Sequence, residues 1–418
     1  MRFIHTADIH LDSPLTGLSA YQDAPTELLR TATRDAFENL VSEAISESVD
    51  FLIIAGDLYD GTWKDFNTGI FFARQMGRLK LAGIPVYLLL GNHDADNEMT
   101  KKLVLPENVH KFSSGKAQTF RIPELRVALH GRSFKDPATT ENLALSYPAP
   151  VEGWLNIGVL HTALEGHTVH ANYAPCSITQ LEAKGYQYWA LGHVHEHRIW
   201  QGSSTIAFPG NLQGRHIKET GPRSALMVTA AGTDIEAVDR VYVDVLRWQA
   251  LLVDVSASST LDDVVRAVGR ALAELVDSTD GDRPIAARIT LTGASAAHGQ
   301  LFGLEPQLRA EVLAQAAALG TERIWIEKVR VETTPHDAAE VVAARADAVA
   351  DLQQLLSKAD SDASFLDSLQ DDLMQMIGKL PHEVILAIPQ LEEIRAGRLK
   401  TLVQSTAPSL LAHIAKAG

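Results

Sequence analysis

A single cysteine, Cys176, in 418 residues excludes an internal disulfide and any structural zinc site built on several thiolates. That scarcity points to a reducing, cytoplasmic compartment. Long apolar runs are missing too: the longest, Phe51–Ala55 and Val86–Leu90, are strand-sized, far short of the roughly 18 residues of a membrane-spanning helix. The opening Met1-Arg2-Phe3-Ile4-His5 reaches Asp8 with no charged leader, apolar core or small-residue cleavage site, so no secretory signal is expected. Positive charge is short as well. With 37 Lys+Arg against 52 Asp+Glu the formal charge is −15, whereas a duplex-DNA binder ordinarily carries a basic surface. Nonspecific polyanion binding by the bare chain is therefore not expected.

Histidine, by contrast, is plentiful and uneven. Twelve of the sixteen lie before residue 217: His5, His10, His93, His110, His130, His161, His167, His170, His193, His195, His197 and His216. Such clustering suggests a metal centre.

The length exceeds what one compact core organises, so two or three domains are expected. Strand-like runs at Arg2–Thr6, Phe51–Ala55, Val86–Leu90, Val127–His130, Leu155–His161 and Tyr188–Leu191 are separated in part by helix-spaced segments, Thr26–Ser48 and Phe66–Ala82. That order implies an α/β layer fold. Ser224–Ala230 and Ile235–Val243 alternate like antiparallel strands that close the first domain, residues 1–245. Residues 246–334 read as a small α/β domain: strand Gln249–Val255, helix Leu261–Val276 capped by Thr260 and Asp263, strand Ala286–Thr292, helix Leu304–Leu319 and strand Arg323–Glu332. Residues 335–418 turn helical, over Ala339–Ser357 and Phe365–Leu380 and then in segments up to Ile414 broken by Pro381, Pro389 and Pro408. Leu366, Leu369, Leu373, Ile377 and Leu380 form one apolar stripe, to be packed by the chain itself or by a docking partner.

Five short segments place metal-ligand residue types just after predicted strands: Ala7-Asp8-Ile9-His10, Gly56-Asp57-Leu58-Tyr59-Asp60, Gly91-Asn92-His93-Asp94, Leu160-His161-Thr162 and Gly192-His193-Val194-His195. Open α/β sheets present ligand-binding loops at the carboxyl ends of their strands. Oxygen and imidazole donors without thiolate suit Mn, Fe or Zn, and Asp57 could bridge two ions. Gly56, Gly91 and Gly192 are expected to turn the chain sharply out of each strand. The i, i+2 spacing of Asp8 with His10, and of His193 with His195, would put each pair on one side of an extended segment.

These five segments resemble the motif set of the calcineurin-like metallophosphoesterase superfamily. His5-Thr6-Ala7-Asp8-Ile9-His10-Leu11-Asp12-Ser13-Pro14 and Phe208-Pro209-Gly210-Asn211-Leu212-Gln213-Gly214-Arg215-His216 resemble in particular the YhaO branch of SbcD-type DNA repair exonucleases. The resemblance implies a layered αββα sandwich followed by a small α/β capping domain and a helical C-terminal region. It also implies a Mn-dependent phosphodiesterase acting on DNA, with a possible homodimer and an SMC-like ATPase partner of the SbcC/YhaN type docking on that C-terminal region. One metal would be held by Asp8, His10, Asp57 and His195, the other by Asp57, Asn92, His161 and His193. A metal-activated water would be the nucleophile and His93 the catalytic histidine, with Asp94 orienting it. Asp60 stands where archaeal and eukaryotic members carry a second functional histidine, which leaves the balance of exonuclease and endonuclease activity open.

Other residues carry two readings each. Asp12 is either an acceptor behind the ligands or a turn residue; Arg215 and His216 touch a substrate phosphate or form surface salt bridges. Trp63 stacks on a base or packs. His5 is expected to be a hydrogen-bonded core histidine, and His167, His170 and His197 surface or loop residues. Two rival functions stand beside DNA cleavage: a phosphoesterase for a small phosphodiester or a phosphoprotein, and a non-catalytic scaffold for the ATPase.

Overall fold

The structure is a computed structural model that describes residues 1–17, 25–60, 66–96, 104–164, 173–279, 283–320, 322–336, 354–356, 358–377, 389–400, 402–404 and 406. Trp63, His167, His170, Leu380, Pro381, Pro408 and all but residues 354–356 of the helix expected over Ala339–Ser357 lie outside them. The chain forms two compact units, Met1–Gln249 with Gly281–Ala286, and Ala250–Asp280 with Ala287–Gly418.

In the first unit the strands β1 (Arg2–Thr6), β2 (Phe51–Ala55), β3 (Val86–Leu89) and β4 (Val109–Lys111) run parallel, with Phe3 opposite Phe51 and Leu52 opposite Val86. The chain later returns to this sheet. The hairpin β11 (Ser224–Ala231) and β12 (Asp234–Tyr242) adds to its β1 edge, giving the order β12-β11-β1-β2-β3-β4. A second sheet is built from β5 (Gln118–Ile122), β6 (Val127–Gly131), β7 (Leu155–His161), β8 (Tyr188–Gly192), β9 (Arg198–Gln201) and β10 (Thr205–Phe208), in the order β5-β6-β7-β8-β10-β9. Its four central strands are parallel.

The period of two along each strand divides the side chains between cores. Phe3, Phe51, Ile53 and Tyr87 face Leu155, Ile157, Val159 and Tyr188 of the other sheet. Ile4, Leu52, Ile54 and Leu88 face the opposite way, onto Phe37, Leu40, Phe72 and Met76 of helices α1 (Thr26–Ser46) and α2 (Phe66–Leu81). Behind the second sheet, Leu160, Trp189, Leu191 and Phe208 pack against Leu143, Tyr147, Tyr186 and Leu181 of the short helix α4 (Ile178–Glu182). The result is the expected αββα layering. Continuous apolar runs fit strands buried on both faces. The strands that sequence reading passed over, β4, β5, β9 and β10, are short, and three of them alternate polar and half-buried residues at or beside a sheet edge.

The second unit carries a three-stranded sheet of β13 (Arg247–Asp254), β14 (Ile285–Ser295) and β15 (Ile324–Pro335), with helices α5 (Leu261–Ser278) and α7 (Glu305–Ala318). Thr260 Oγ1 accepts from the Asp263 N–H at 3.2 Å while Asp263 accepts from the Thr260 N–H at 3.0 Å, so the predicted cap is a reciprocal capping box. Short helix α6 (His298–Gly303) was not anticipated. Farther along, Leu366, Leu369 and Leu373 of α8 (Ala363–Ile377) are half-buried against a cluster containing Ile394 of α9 (Pro389–Arg395) and Leu399. The chain itself thus covers part of the apolar stripe. Among the described residues no helix is long and apolar enough to cross a membrane.

Gly158 lies in β7 directly under the Trp189 ring, and a Cβ there would overlap the indole carbons. Gly158→Ala should destabilise the domain by about 1–3 kcal/mol through overpacking, measured as a lowered midpoint in denaturant at unchanged m-value.

Candidate metal centre

Parallel strands place their carboxyl ends on one rim of each sheet, and the two rims meet at the expected ligands. Beyond β1 and β2 the backbones continue side by side: the N–H of Asp8 donates to Gly56 O at 3.0 Å, that of His10 to Asp57 O at 3.1 Å and that of Leu11 to Leu58 O at 2.9 Å. Neither segment is extended there. Asp8, His10, Asp57 and His193 all adopt left-handed φ, at 50°, 46°, 53° and 103°. The same-side argument from i, i+2 spacing is therefore corrected. Asp8 and His10 converge because the backbone coils, and His193 and His195 belong to different donor groups. Non-glycine residues in this region cost on the order of 1–2 kcal/mol each, strain that concentrates at functional sites. Gly56, at φ +101°, fits its expected role. Gly91 and Gly192 are needed for closeness instead, since a Cβ on the first would strike the Asp57 carboxylate and on the second the Ala55 carbonyl.

Three groups of donors emerge, each with all its donor atoms within 4.8 Å of one another: Asp8 with His10 and His195, Asp57 with His161 and His193, and His10 with Asp60 and His93. Hydrogen bonds behind the imidazoles fix their tautomers. His161 Nδ1 lies 3.0 Å from Ala55 O and must donate to it, so Nε2 faces Asp57 Oδ2 at 3.3 Å and Asn92 Oδ1 at 3.0 Å. His195 Nδ1 donates to Glu219 at 2.7 Å, which leaves its Nε2 directed at His10 Nε2, 3.2 Å away. Two imidazole nitrogens bound at roughly 2.0–2.1 Å to one tetrahedral ion sit about 3.3 Å apart. Acceptors crowded on acceptors in a buried site fit divalent cations. The donor chemistry, nitrogen and oxygen without sulfur, suits Mn, Fe or Zn.

The charges agree. Burial pushes the Asp8 carboxyl up to about 6, although His195 and His161 oppose it. Burial would likewise raise Asp57, but His161, His10 and His93 hold it well below the usual carboxylate range. Burial depresses His10 to about 3, helped by the Arg215 guanidinium. Burial would lower His161 too, yet Asp57 and Asp8 push it up to about 9. The protonated His161 thus supplies the positive charge that a cation would otherwise provide.

Residues 1–197 match the family model described as calcineurin-like phosphoesterase, and residues 248–334 match that of the metallophosphoesterase YhaO middle domain. Over 299 residues the chain is 33% identical to the uncharacterized metallophosphoesterase YhaO of Bacillus subtilis (strain 168), covering 71% of this chain and 72% of that protein. The chain belongs to the calcineurin-like metallophosphoesterase superfamily, in its YhaO branch. It is a phosphodiester hydrolase. The DNA double-strand break repair protein Mre11 of Sulfurisphaera tokodaii is 27% identical over 297 residues, or 68% of this chain and 72% of the relative. Its counterpart in Methanopyrus kandleri is 28% identical over 220 residues, 47% and 44% of the two chains.

Within this metallophosphoesterase site, the residues around the ligands fall into place. His93 opens the short helix α3 (Asn92–Asp96); its N–H donates to Asp57 Oδ1 at 3.0 Å and its Nδ1 lies 3.3 Å from Asp60 Oδ1. Asp60 also comes 3.6 Å from His10 Nδ1 and accepts from Ser13 Oγ at 2.8 Å. His10, Ser13 and Arg215 hold its carboxyl well below the usual range, so it is a carboxylate. The ion-pair contact of His93 is thus with Asp60. Asp94 accepts from the N–H groups of Leu58, Tyr59 and Gly91, tying the Asp57 loop to the Asn92 loop. Asp12 is settled as structural. At φ 61° it holds Arg34 of α1 through two bonds at 2.5 Å and accepts from Thr68 of α2. His5 is a buried core histidine between the Tyr188 hydroxyl and Leu191 O, as expected. Half-buried His197 is less exposed than a surface residue.

Arg215 points toward the centre: its guanidinium reaches Ser13 Oγ at 3.2 Å, Glu219 at 3.6 Å and Asp60 at 3.9 Å. His216 lies at the edge, 3.8 Å from Glu219. Glu219 is the residue that sequence reasoning missed. It is buried, and although burial alone would raise its carboxyl, His195 and Arg215 hold it well below the usual range while it fixes His195. No spacing signal marks it, because it lies 24 positions along the chain from the histidine it holds.

Two outcomes follow from this geometry. An ion binding at His161 Nε2 must displace the proton held there up to pH about 9, so affinity for Mn should rise about tenfold per pH unit between 6.5 and 8.5, with proton release in calorimetry. An affinity flat with pH would overturn the protonated His161. Glu219→Ala should weaken metal binding about 10–100-fold, and Glu219→Gln, whose amide oxygen can still accept from His195, should recover most of it.

Proposed function

We propose that this protein is a Mn-dependent phosphodiesterase that acts on DNA as the nuclease subunit of an assembly with an SMC-like ATPase. Its three parts would be a nuclease domain over residues 1–245, a capping domain over 246–334 and a helical region over 335–418 that docks the ATPase. The observation that carries the reading is the pair of buried donor sets, Asp8/His10/His195 and Asp57/His161/His193, on one rim. Support for DNA as substrate comes from the double-strand break repair relatives that match 68% and 47% of the chain.

In this reading Asp8, His10, Asp57 and His195 hold one divalent ion and Asp57, Asn92, His161 and His193 the other. Two such ions supply charge to the phosphoryl oxygens and generate a nucleophile from water near neutral pH. The chain's own residues do the rest. His93, half-exposed at the mouth of the site, donates a proton to the departing sugar oxygen. Asp60, a carboxylate on its Nδ1 side, orients the ring. Arg215 offers a fixed cation for a phosphate oxygen as the negative charge develops. Asp94 keeps the Asp57 and Asn92 loops in register throughout.

The test is cleavage of linear DNA with Mn, with and without an SMC-like ATPase. His93→Ala should lower kcat by about 100-fold or more while the metal content stays at that of the wild type. Hydrolysis of small phosphodiesters with single- and double-stranded DNA left intact in the presence of the ATPase would overturn the DNA reading. Fewer than one ion per chain after Mn loading would overturn the catalytic reading altogether.

A further inference from the structure

Buried arginines in proteins are paired with carboxylates, because a desolvated charge without a counter-charge is costly. Arg247, 6% exposed, follows that rule with Asp244 at 2.9 Å. Arg223, 7% exposed, has no such direct pair: Glu219, Glu196 and Asp244 act on its charge only from beyond ion-pair distance. Its guanidinium bonds run to neutral acceptors only, His195 O at 2.6 Å, Asn211 Oδ1 at 3.1 Å and Thr220 O at 2.8 Å, and its Nε–H has no acceptor. Half-buried Arg240 is similar, donating to Ser224 Oγ at 2.9 Å and Pro222 O at 2.8 Å. Both residues line a cavity of about 340 Å³ together with Lys218, His197 and His195. Among the described residues, none of these three cationic side chains has a carboxylate at ion-pair distance. The carboxylates nearby are engaged elsewhere: Glu196, also in the cavity wall, pairs with Arg198 at 2.8 Å, Glu219 holds His195 and Asp244 holds Arg247. A cavity wall with three cations and one neutralised carboxylate, in a chain of formal charge −15, is a local reversal of sign.

We infer that this cavity is an anion subsite that holds a phosphodiester of the nucleic-acid strand whose neighbouring phosphate lies on the metal centre. The two sites share His195, whose ring serves the Asp8 donor group while its residue forms part of the cavity wall. A strand held at the metals therefore presents its next phosphates within reach of Arg223, Lys218 and Arg240, and their charge supplies grip that the acidic surface lacks. The inference rests on the DNA reading for the identity of the ligand. Phosphate chemistry at the cavity does not depend on that reading.

The experiment separates the two. Inorganic phosphate is titrated calorimetrically into full-length protein stripped of metal by a chelator, with wild type, Lys218→Glu and Arg240→Gln compared. Lys218 is exposed, so Lys218→Glu keeps the test valid if Arg240→Gln loses its thermal midpoint. Phosphate should bind wild type and bind each variant about fivefold or more weakly. A short single-stranded oligonucleotide should displace the phosphate, and its affinity should fall in the same variants with a salt slope reduced by about one unit. Phosphate affinity identical in wild type and Lys218→Glu overturns the subsite. Phosphate binding that responds to the variants, with oligonucleotide binding that does not, overturns the strand assignment and leaves free phosphate as the ligand. If wild type neither binds nor cuts DNA, the DNA reading fails and the strand assignment falls with it.

Discussion

Everything at the rim of the first unit follows from one electrostatic constraint: Asp8 and Asp57 are buried together at the ends of adjacent strands, with imidazoles rather than lysines or arginines closest to them. Two carboxylates in a dry site demand compensating positive charge. Asp57 and Asp8 push His161 up to about 9, so its imidazolium meets that demand, and divalent ions held in the proposed site would meet it by replacing the proton. The left-handed turns at Asp8, His10, Asp57 and His193 and the bare Cα atoms of Gly91 and Gly192 are the structural cost of bringing these groups so close. Strain of this kind persists only where rigid surroundings over-determine the backbone, and here two stacked parallel sheets do so.

Precision comes from the carbonyl and carboxylate partners behind the ligands. Ala55 O and Glu219 each take the Nδ1 proton of one histidine, so His161 and His195 both direct Nε2 inward, where His161 Nε2 becomes a lone-pair donor once its proton is lost. Asp94 plays a parallel part through backbone, since its three accepted N–H bonds lock the Asp57 turn against the start of α3. One oxygen or nitrogen atom out of place in this layer would misdirect a ligand that is itself correct.

Much of the fold was legible because β1, β2, β3, β6, β7 and β8 are buried on both faces, so their apolar runs stand out from the flanking sequence. The ligand segments were legible for the same reason, each beginning where such a run ends. Parity even places His161, which continues the inward row Leu155, Ile157 and Val159. What remained hidden depends on tertiary approach. Sequence adjacency drew attention to Asp94 next to His93, and only the fold brings Asp60, over thirty residues earlier, beside its ring. Glu219 and Arg223 sit in a loop whose composition resembles any surface turn, and only the folded chain shows one buried behind His195 and the other buried with no carboxylate at ion-pair distance. The left-handed conformations of aspartate and histidine leave no trace in a single sequence, since φ sign is readable from residue type only at glycine.

The acidity that first argued against a polyanionic substrate is consistent with selective handling of one. Residues 1–245 hold 21 Lys+Arg and 28 Asp+Glu, a formal −7, and two divalent ions would bring that to about −3. A surface of that sign repels nucleic acid over distances set by the Debye length, about 8 Å at physiological ionic strength, while attraction survives only at the metals and at any uncompensated cationic cluster beside them. In the proposed nuclease reading nonspecific affinity would then be low, and a strand would be retained only when threaded into the short positive track. Productive engagement of long DNA would draw its remaining binding energy from another subunit. An acidic nuclease of this construction would be nearly idle by itself and active where a DNA-binding partner delivers an end to it, a division that net charge alone could enforce.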